Sequence, residues 1–332
     1  MRAVVLVGGF GTRLRPLTYS IPKPMLPVVH RPIIEHLVVN LVRAGITDVV
    51  LALGFKPEPF MEAFPDGTCA GATLTYAVEP EPLDTAGAIA FAARHAGIDD
   101  TFVVANGDVL TDLDLSRLVS FHRERGAMAT IHAFPVEDPS AFGVVELDDE
   151  QRVLRFVEKP APGTAPSNLI NAGTYVLEPS VLDLIPSGRK VSIERETFPV
   201  VSERGGLFAM AADAYWLDTG RPELYLQANL DVLSGRSSVD CPPPISSAAS
   251  VAASATLSDC VLADDVQIEA DVVVERSVLL DGARIGAGSV VRDSIVLGIV
   301  PAGCTLDEVV LGVDGRLEPG AEVRAERIPS PE

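Results

Sequence analysis

Apolar residues in the first half of the chain follow two alternating patterns. Ala3 to Val7 is an unbroken apolar run that stops at Gly8-Gly9, as expected of a parallel strand buried on both faces. Pro32 to Ala44 instead places Ile33, Leu37 and Leu41 at helical spacing. Proline near its start and Gly45 just past its end predict a helix. Asp48 to Leu53 predicts the next strand, Gly87 to His95 a helix, and Thr101 to Ala105 a strand running into Asn106-Gly107-Asp108. Leu115 to Arg125 predicts a further helix. This alternation predicts an α/β domain with a Rossmann-like, doubly wound mixed sheet that binds its ligand at the C-terminal ends of the strands.

After about Gly235 the pattern changes. Residues 236–245, with Cys241-Pro-Pro-Pro, read as a stiff linker. Beyond it a repeat of about 17 residues runs through 258–274, 275–291 and 292–306. Ile268 aligns with Ile285 and Val274 with Val291, while Val266, Val272, Val278, Ile285 and Val291 recur near six-residue spacing. Short strands with small residues at their corners build a solenoid in which each coil covers the next. A plain β-hairpin tail is the simpler alternative, but two aligned repeats and a partial third favour the solenoid. The pattern resembles the left-handed β-helix of hexapeptide repeats. The expected layout is a catalytic domain over 1–235, a linker over 236–245, a β-helix over 246–325 and a tail over 326–332. The edge and flat face of such a solenoid predict a homo-oligomer joined through it.

Composition narrows the function. At 332 residues, 47% apolar and 22% charged, the chain is long enough for two globular domains. A formal net charge of -20 repels nucleic acid and anionic membranes, so neither is an expected partner. It also makes any local basic cluster informative, because the only lysines are Lys23, Lys56, Lys159 and Lys190. Cys69, Cys241, Cys260 and Cys304 form no C-x-x-C pair and have no histidine at zinc-like spacing, so they are expected as free thiols. The apolar start is too short for a signal peptide and no run approaches the roughly 20 residues of a spanning helix, so the expected location is cytoplasmic.

Residues 6–27 read LVGGFGTRLRPLTYSIPKPMLP. Gly8, Gly9 and Gly11 let the backbone approach an anion closely and turn N–H groups toward phosphate. Thr12, Arg13 and Arg15 follow, and Lys23 stands between Pro22 and Pro24, which reduce the entropy lost when it is fixed on a ligand. A dinucleotide site fits poorly, because G-x-G-x-x-G is absent and such turns do not normally carry three cations.

The G-G-x-G-T-R-L and P-K-P segments resemble the signature of the nucleotide-diphospho-sugar pyrophosphorylases, the sugar-1-phosphate nucleotidyltransferases. The resemblance covers nearly the whole chain and implies the family's GT-A-like catalytic domain. It implies that Leu6, Val7, Gly8, Gly9, Gly11, Thr12 and Arg13 contact an NTP, and that Lys23 contacts the departing pyrophosphate. The segment 79–88, EPEPLDTAGA, resembles the base-recognition segment, with Gly87 behind the nucleobase and Glu79 near it. Asp84 stands where relatives usually carry glycine, a departure that bears on the local turn and on base selectivity. Asn106 and Asp108 close a strand beside the phosphate loop. Asp108 and Asp218, the latter in Trp216-Leu-Asp-Thr-Gly220, are implied Mg²⁺ ligands; either alone would read as a turn residue. By the same resemblance Gly143 lets a sugar face lie on the backbone, Glu158 and Asn171 hydrogen-bond its hydroxyls, and Lys159 grips the sugar phosphate.

Mechanism follows from charge. Both substrates are anions, and the attacking phosphate oxygen is already ionised, so positioning and neutralisation dominate and no general base is required. His30, His36, His95, His122 and His132 lie outside the motifs and read as structural or surface residues. Arg13, Lys23 and Lys159 are the expected catalytic cations, acting with Mg²⁺ in an in-line displacement at the α-phosphorus. Residues 168–186 and 192–199 most resemble mannose-1-phosphate guanylyltransferases, which implies GTP and mannose 1-phosphate. Glucose-1-phosphate thymidylyl- or uridylyltransferases share the motifs. A non-catalytic regulatory subunit would be expected to lack Lys23, Lys159 or a metal aspartate, and an acyltransferase β-helix would carry a histidine beyond residue 132.

Overall fold

The computed structural model describes residues 1–9, 11–54, 57–240 and 242–331. The expectations for Cys241, as a thiol and as the start of the linker, fall outside these residues. The chain forms two compact units. The first gathers residues 1–9 and 34–216; the second gathers the residues after Gly9 up to Ile33 and those from Leu217 onward.

In the first unit, strands β1 (Arg2–Leu6), β2 (Asp48–Leu53), β3 (Ala72–Val78) and β4 (Phe102–Asn106) are parallel, in the order β4-β1-β2-β3. Ala3, Val4 and Val5 of β1 are fully buried, which is why the run is apolar throughout rather than alternating. The sheet continues past β4 with antiparallel pairing. Strands β5 (Ala129–Pro135), β6 (Gly143–Leu147), β7 (Val153–Glu158), β8 (Leu169–Leu177) and β9 (Leu207–Ala211) complete it. Strand β8 pairs with β4, β6 and β5, and β7 forms an edge on β6. The sheet is therefore mixed, as expected.

Helices α1 (Ile33–Arg43), α2 (Asp84–His95) and α3 (Leu115–Arg125) connect the strands. Asp114 caps α3 by accepting from the Arg117 N–H at 3.0 Å, a bond worth about 1 kcal/mol, and Gly126 ends it in the left-handed region. His122 on α3 and His132 on β5 are buried. His122 lies between Thr130 Oγ1 and Glu178 Oε1.

The second unit carries helix α4 (Pro222–Leu233) and three short parallel sheets consistent with a left-handed β-helix. The register Val261, Val278, Ile295, Val310, Arg327 climbs one face in steps of 17, 17, 15 and 17 residues, so one coil is two residues short of the repeat read from sequence. Inside, Leu262, Leu279, Val296 and Leu311 stack fully buried. At one corner Asp259, Arg276, Asp293, Glu308 and Ala325 each turn the chain with φ between 44° and 57°. Outward charges pair between coils, Arg276 with Asp293 at 2.7 Å and Arg292 with Glu275 at 2.6 Å. Buried Ser277 and Ser294 accept from the N–H groups of Ser294 and Val309 on the next coil, so no hydroxyl of this pair is stranded.

Two boundaries differ from the sequence reading. Arg327–Ile328 still pairs in the β-helix with Val310–Leu311, so the last coil runs past the expected end at 325. The phosphate-loop residues up to Ile33 also pack with the β-helix unit, because several bonds hold them there. Val29 N–H donates to Asn229 Oδ1 at 2.9 Å, Tyr225 donates its hydroxyl to the Pro27 carbonyl, and Arg31 donates to the Asp240 carbonyl at 2.8 Å. His30 Nε2 lies 3.1 Å from the carbonyls of Pro243 and Pro244, so the chain is tied down at these two prolines.

Candidate active site

In the sheet unit the C-terminal ends of the parallel strands come side by side, since Leu6 is in register with both Ala52 and Asn106. The turns leaving them carry the predicted residues. Gly8 lies against Gly54: a Cβ on Gly54 would meet the Gly8 carbonyl at 3.2 Å. Glu79 Oε1 would be 3.7 Å from a Cβ on Gly8, and Oε2 accepts from the Leu83 N–H at 2.8 Å. Glu79 therefore stands beside the glycine turn and is not a freely solvated loop acid. Burial pushes its carboxyl above the ordinary value, against the pull of the Leu83 N–H.

Asp84 adopts φ 62°, the left-handed conformation that glycine takes most easily, and its Oδ1 accepts from the Thr85 N–H at 2.7 Å. The turn thus keeps a glycine-like backbone while adding an exposed carboxylate. Gly87 sits a turn inside α2. A Cβ there would lie 2.8 Å from Leu83 Cβ and 3.4 Å from the Arg189 carbonyl, so helix packing alone accounts for glycine at this position.

A second group gathers around β8. Its pairing with β5 slips between Asn171 and Tyr175, and Gly173 lies in the slip at φ 77°. A Cβ on Gly173 would fall 2.5 Å from Asn106 Nδ2, so the bulge admits the Asn106 side chain. Asn171 donates from Nδ2 to Tyr175 Oη at 2.8 Å and accepts from the Gly173 N–H at 3.0 Å. Full burial holds the Tyr175 hydroxyl well above its usual value, so it stays neutral. Trp216 donates to the Ala172 carbonyl at 2.9 Å and packs on Phe134 and Phe142, fixing the same strand from outside. Gly143 faces Phe156 and Glu158: a Cβ would meet Glu158 Oε2 at 2.9 Å. Lys159 takes φ 47°, held by its N–H bond to the Phe142 carbonyl at 2.9 Å. Its side chain is 62% exposed, and its ammonium is 3.7 Å from Glu158 Oε1.

In the second unit the signature cations converge. Gly11 opens a short helical turn, Thr12–Leu14, at φ 59°, where a Cβ would press on Thr18 at 3.0 Å and Lys23 at 3.1 Å. Lys23 is only 5% exposed, and its ammonium bonds Asp218 Oδ1 at 3.1 Å. Arg13, 62% exposed, brings Nη2 to 4.0 Å from Asp218 Oδ2. Arg15 departs from this group and lies over the Tyr19 ring at 5.0 Å. Gly220 fills the middle of the cluster. A Cβ on it would be 2.8 Å from Arg13 Nη2, 2.9 Å from Asp218 Oδ1 and 3.1 Å from Lys23 Nζ. Gly173, Gly220, Tyr175 and Trp216 were not assigned roles from sequence. A glycine inside a strand and one closing the W-L-D-T-G motif were the available signals.

The donor set suits a hard divalent cation. Asp108 offers carboxylate oxygens in the first unit and Asp218 in the second, and Mg²⁺ is typically held by one or two carboxylates, with water and substrate phosphates completing its shell. Among the described residues no group of three His, Cys, Asp or Glu side chains forms a cage, so phosphate oxygens would have to supply the remainder. No helix among the described residues is long and apolar enough to cross a membrane.

Glycine turns at the ends of parallel strands in one unit, and a cluster of buried and exposed cations with a parallel β-helix in the other, are the features of a phosphate-handling α/β protein. Residues 2–235 match the family model described as Nucleotidyl transferase, and residues 243–319 match the one described as GlmU-like, C-terminal hexapeptide. The chain belongs to the nucleotide-sugar pyrophosphorylase family and is closely related to mannose-1-phosphate guanylyltransferases. It is 40% identical to the mannose-1-phosphate guanylyltransferase of Mycobacterium tuberculosis over 87% of this chain and 82% of that one. It is 38% identical to probable mannose-1-phosphate guanylyltransferase 1 of Oryza sativa subsp. japonica, over 89% of this chain and 86% of the other. Among solved structures, HddC from Yersinia pseudotuberculosis complexed with GMP-PN superposes with a TM-score of 0.59 at 28% identity, covering 70% of this chain and 99% of that one. The protein is a nucleotidyltransferase that joins the nucleoside monophosphate of an NTP to a sugar 1-phosphate and releases pyrophosphate.

Proposed function

We propose that the nucleotide is GTP, the sugar phosphate is mannose 1-phosphate and the product is GDP-mannose. The convergence of Arg13, Lys23 and Asp218 on Gly220 carries the assignment of the phosphate end. The choice of base and sugar is supported by relatives that bear the guanylyltransferase name over most of their length.

In this reading the backbone N–H groups of Gly8, Gly9 and Gly11 receive phosphate oxygens, with Leu6, Val7 and Thr12 alongside. Arg13 and Lys23 neutralise the charge that builds on pyrophosphate as it leaves. Lys159 holds the attacking phosphate, Glu158 and Asn171 orient the sugar hydroxyls, and Gly143 leaves room for the ring. Glu79 and Gly87 serve the base, and Asn106 contacts the nucleotide. Asp108 and Asp218 would hold Mg²⁺, which supplies charge neutralisation on the phosphate oxygens when bound. The same reading takes the chain as a cytoplasmic homo-oligomer joined through the β-helix, where Ile299 and Val313 leave apolar side chains exposed.

A pyrophosphate-release panel tests the assignment by crossing four NTPs with mannose, glucose and other hexose 1-phosphates. A site that hydrogen-bonds one base edge discriminates strongly, so GTP with mannose 1-phosphate should exceed other pairs by at least about tenfold. Faster turnover with dTTP or UTP and glucose 1-phosphate would overturn the choice of substrates while leaving the reaction class intact.

A further inference from the structure

Helical turns leave their last carbonyls without an internal partner. In the turn Thr12–Leu14 the Gly11 carbonyl accepts from the Leu14 N–H at 2.9 Å and the Thr12 carbonyl from the Arg15 N–H at 3.2 Å. The Arg13 carbonyl is met from elsewhere: Arg327 Nη1 donates to it at 2.8 Å across 314 residues of sequence. Arg327 belongs to the last coil of the β-helix, and its backbone is fixed by pairing with Val310. A cation at the C-terminal end of a helical turn also opposes the partial negative charge there.

A second contact lies nearby. Pro16 presses on the neighbouring coil at Gly312, where a Cβ would sit 2.8 Å from Pro16 Cβ and 2.9 Å from Pro16 Cγ. The Gly312 N–H donates to the Ile328 carbonyl at 2.8 Å, which locks the surface that receives the proline. The last two coils therefore grip the phosphate loop at two points, on either side of Leu14 and Arg15. The Arg13 guanidinium itself is largely exposed and 4.0 Å from its nearest carboxylate, so its aim depends on where its backbone is held.

We infer that the last coil of the β-helix is part of the catalytic apparatus, with Arg327 a positioning residue that sets Arg13 through its carbonyl. The inference rests on the proposed role of Arg13 at the departing pyrophosphate. It gives the β-helix a task beyond the self-association read from sequence, and it links residues at opposite ends of the chain.

The experiment uses the full-length chain with Arg327→Ala, Arg327→Lys, Gly312→Ala, Arg13→Ala and the double variant Arg13→Ala/Arg327→Ala. Arg327→Ala should lower kcat of the forward reaction about five- to twentyfold and raise KM for pyrophosphate in the reverse reaction. KM for the sugar 1-phosphate should stay within twofold, and thermal midpoints should be close to that of the parent. Arg327→Lys, which keeps a donor of similar reach, should recover most of the loss, and Gly312→Ala should reproduce it by displacing Pro16. In the Arg13→Ala background Arg327→Ala should add less than twofold, because the two act as one unit.

A parent-like kcat in both Arg327→Ala and Gly312→Ala would overturn the inference, as would a loss that multiplies fully with that of Arg13→Ala. A parent-like Arg13→Ala would instead overturn the proposed role of Arg13, so the two failures are distinguishable.

Discussion

Gly220→Ala is the smallest change that tests the cationic cluster. Gly220 is buried and its φ lies outside the left-handed region, so alanine meets no backbone penalty and the whole effect is steric. The new methyl would stand 2.8, 2.9 and 3.1 Å from Arg13 Nη2, Asp218 Oδ1 and Lys23 Nζ, each inside an ordinary carbon contact. Arg13 can retreat, being at the end of a long exposed side chain. Lys23 cannot, because its side chain is only 6% exposed. Asp218 must therefore turn, although its Oδ1 also accepts from the Gly220 N–H at 2.9 Å. A displacement of roughly half an ångström would stretch the 3.1 Å Lys23–Asp218 contact beyond hydrogen-bonding range. A charged hydrogen bond is worth about 1.5–3 kcal/mol. If that bond aims Lys23 and Asp218 in the transition state, kcat/KM should fall by roughly 10- to 100-fold. Continuous pyrophosphate detection under saturating Mg²⁺ measures this, with circular dichroism to confirm the fold. Unchanged kcat/KM in a folded Gly220→Ala protein would show that the cluster has no part in the chemistry.

Two further outcomes follow from single residues. Lys23→Ala should cut turnover by about 10²- to 10³-fold with the fold retained, as for loss of an oriented transition-state donor; near-normal pyrophosphate release would mean the phosphate loop is misassigned. His132 is fully buried, neither ring nitrogen has a hydrogen-bond partner among the described residues, and burial pushes it down to about 4. Its folded value lies below its unfolded value near 6.5, so the unfolded chain takes up the proton first. This contribution is therefore complete above about pH 6.5 and declines by up to roughly 3 kcal/mol as pH falls toward 4. Urea midpoints compared between pH 7 and 4.5 should differ less in His132→Phe than in the parent, and an equal difference would dismiss His132 as the source.

Elements whose apolar period is unambiguous were legible in the chain. Asp48–Leu53 and Leu115–Arg125 form where predicted, and α2 begins three residues before the predicted Gly87 because Asp84 can adopt the turn that starts it. The β-helix was legible because it repeats, although its short 15-residue coil broke the alignment and hid the last turn. What could not be read was which distant segments meet. Nothing in the residues near Arg13 announces a partner 314 positions away, and nothing in Arg15 says that it will lie over Tyr19 while its neighbour two positions back approaches Asp218. Charge and residue type identify candidates, whereas close approach depends on tertiary packing.

Two kinds of glycine separate folding from function in this chain. Gly45, Gly97 and Gly126 have positive φ and open space where a Cβ would be, so their requirement is conformational and they serve turns. At Gly143, Gly220 and Gly173, the last also at positive φ, a Cβ would collide with a neighbour, and the neighbours include Glu158, the Arg13–Lys23–Asp218 cluster and Asn106. Each is a side chain that the family resemblance assigns to a substrate or to Mg²⁺. If withholding a methyl served only packing, the colliding atoms would be expected to be mainly core carbons, as at Gly87 against Leu83. At Gly143 Phe156 ring carbons collide along with the Glu158 carboxylate, but at Gly173 and Gly220 the colliding atoms include amide, carboxylate, ammonium and guanidinium groups, which are costly to crowd together unless their placement is used. Absence of a side chain thus leaves room for the polar atoms proposed to handle the substrates, at glycines in both units of the molecule.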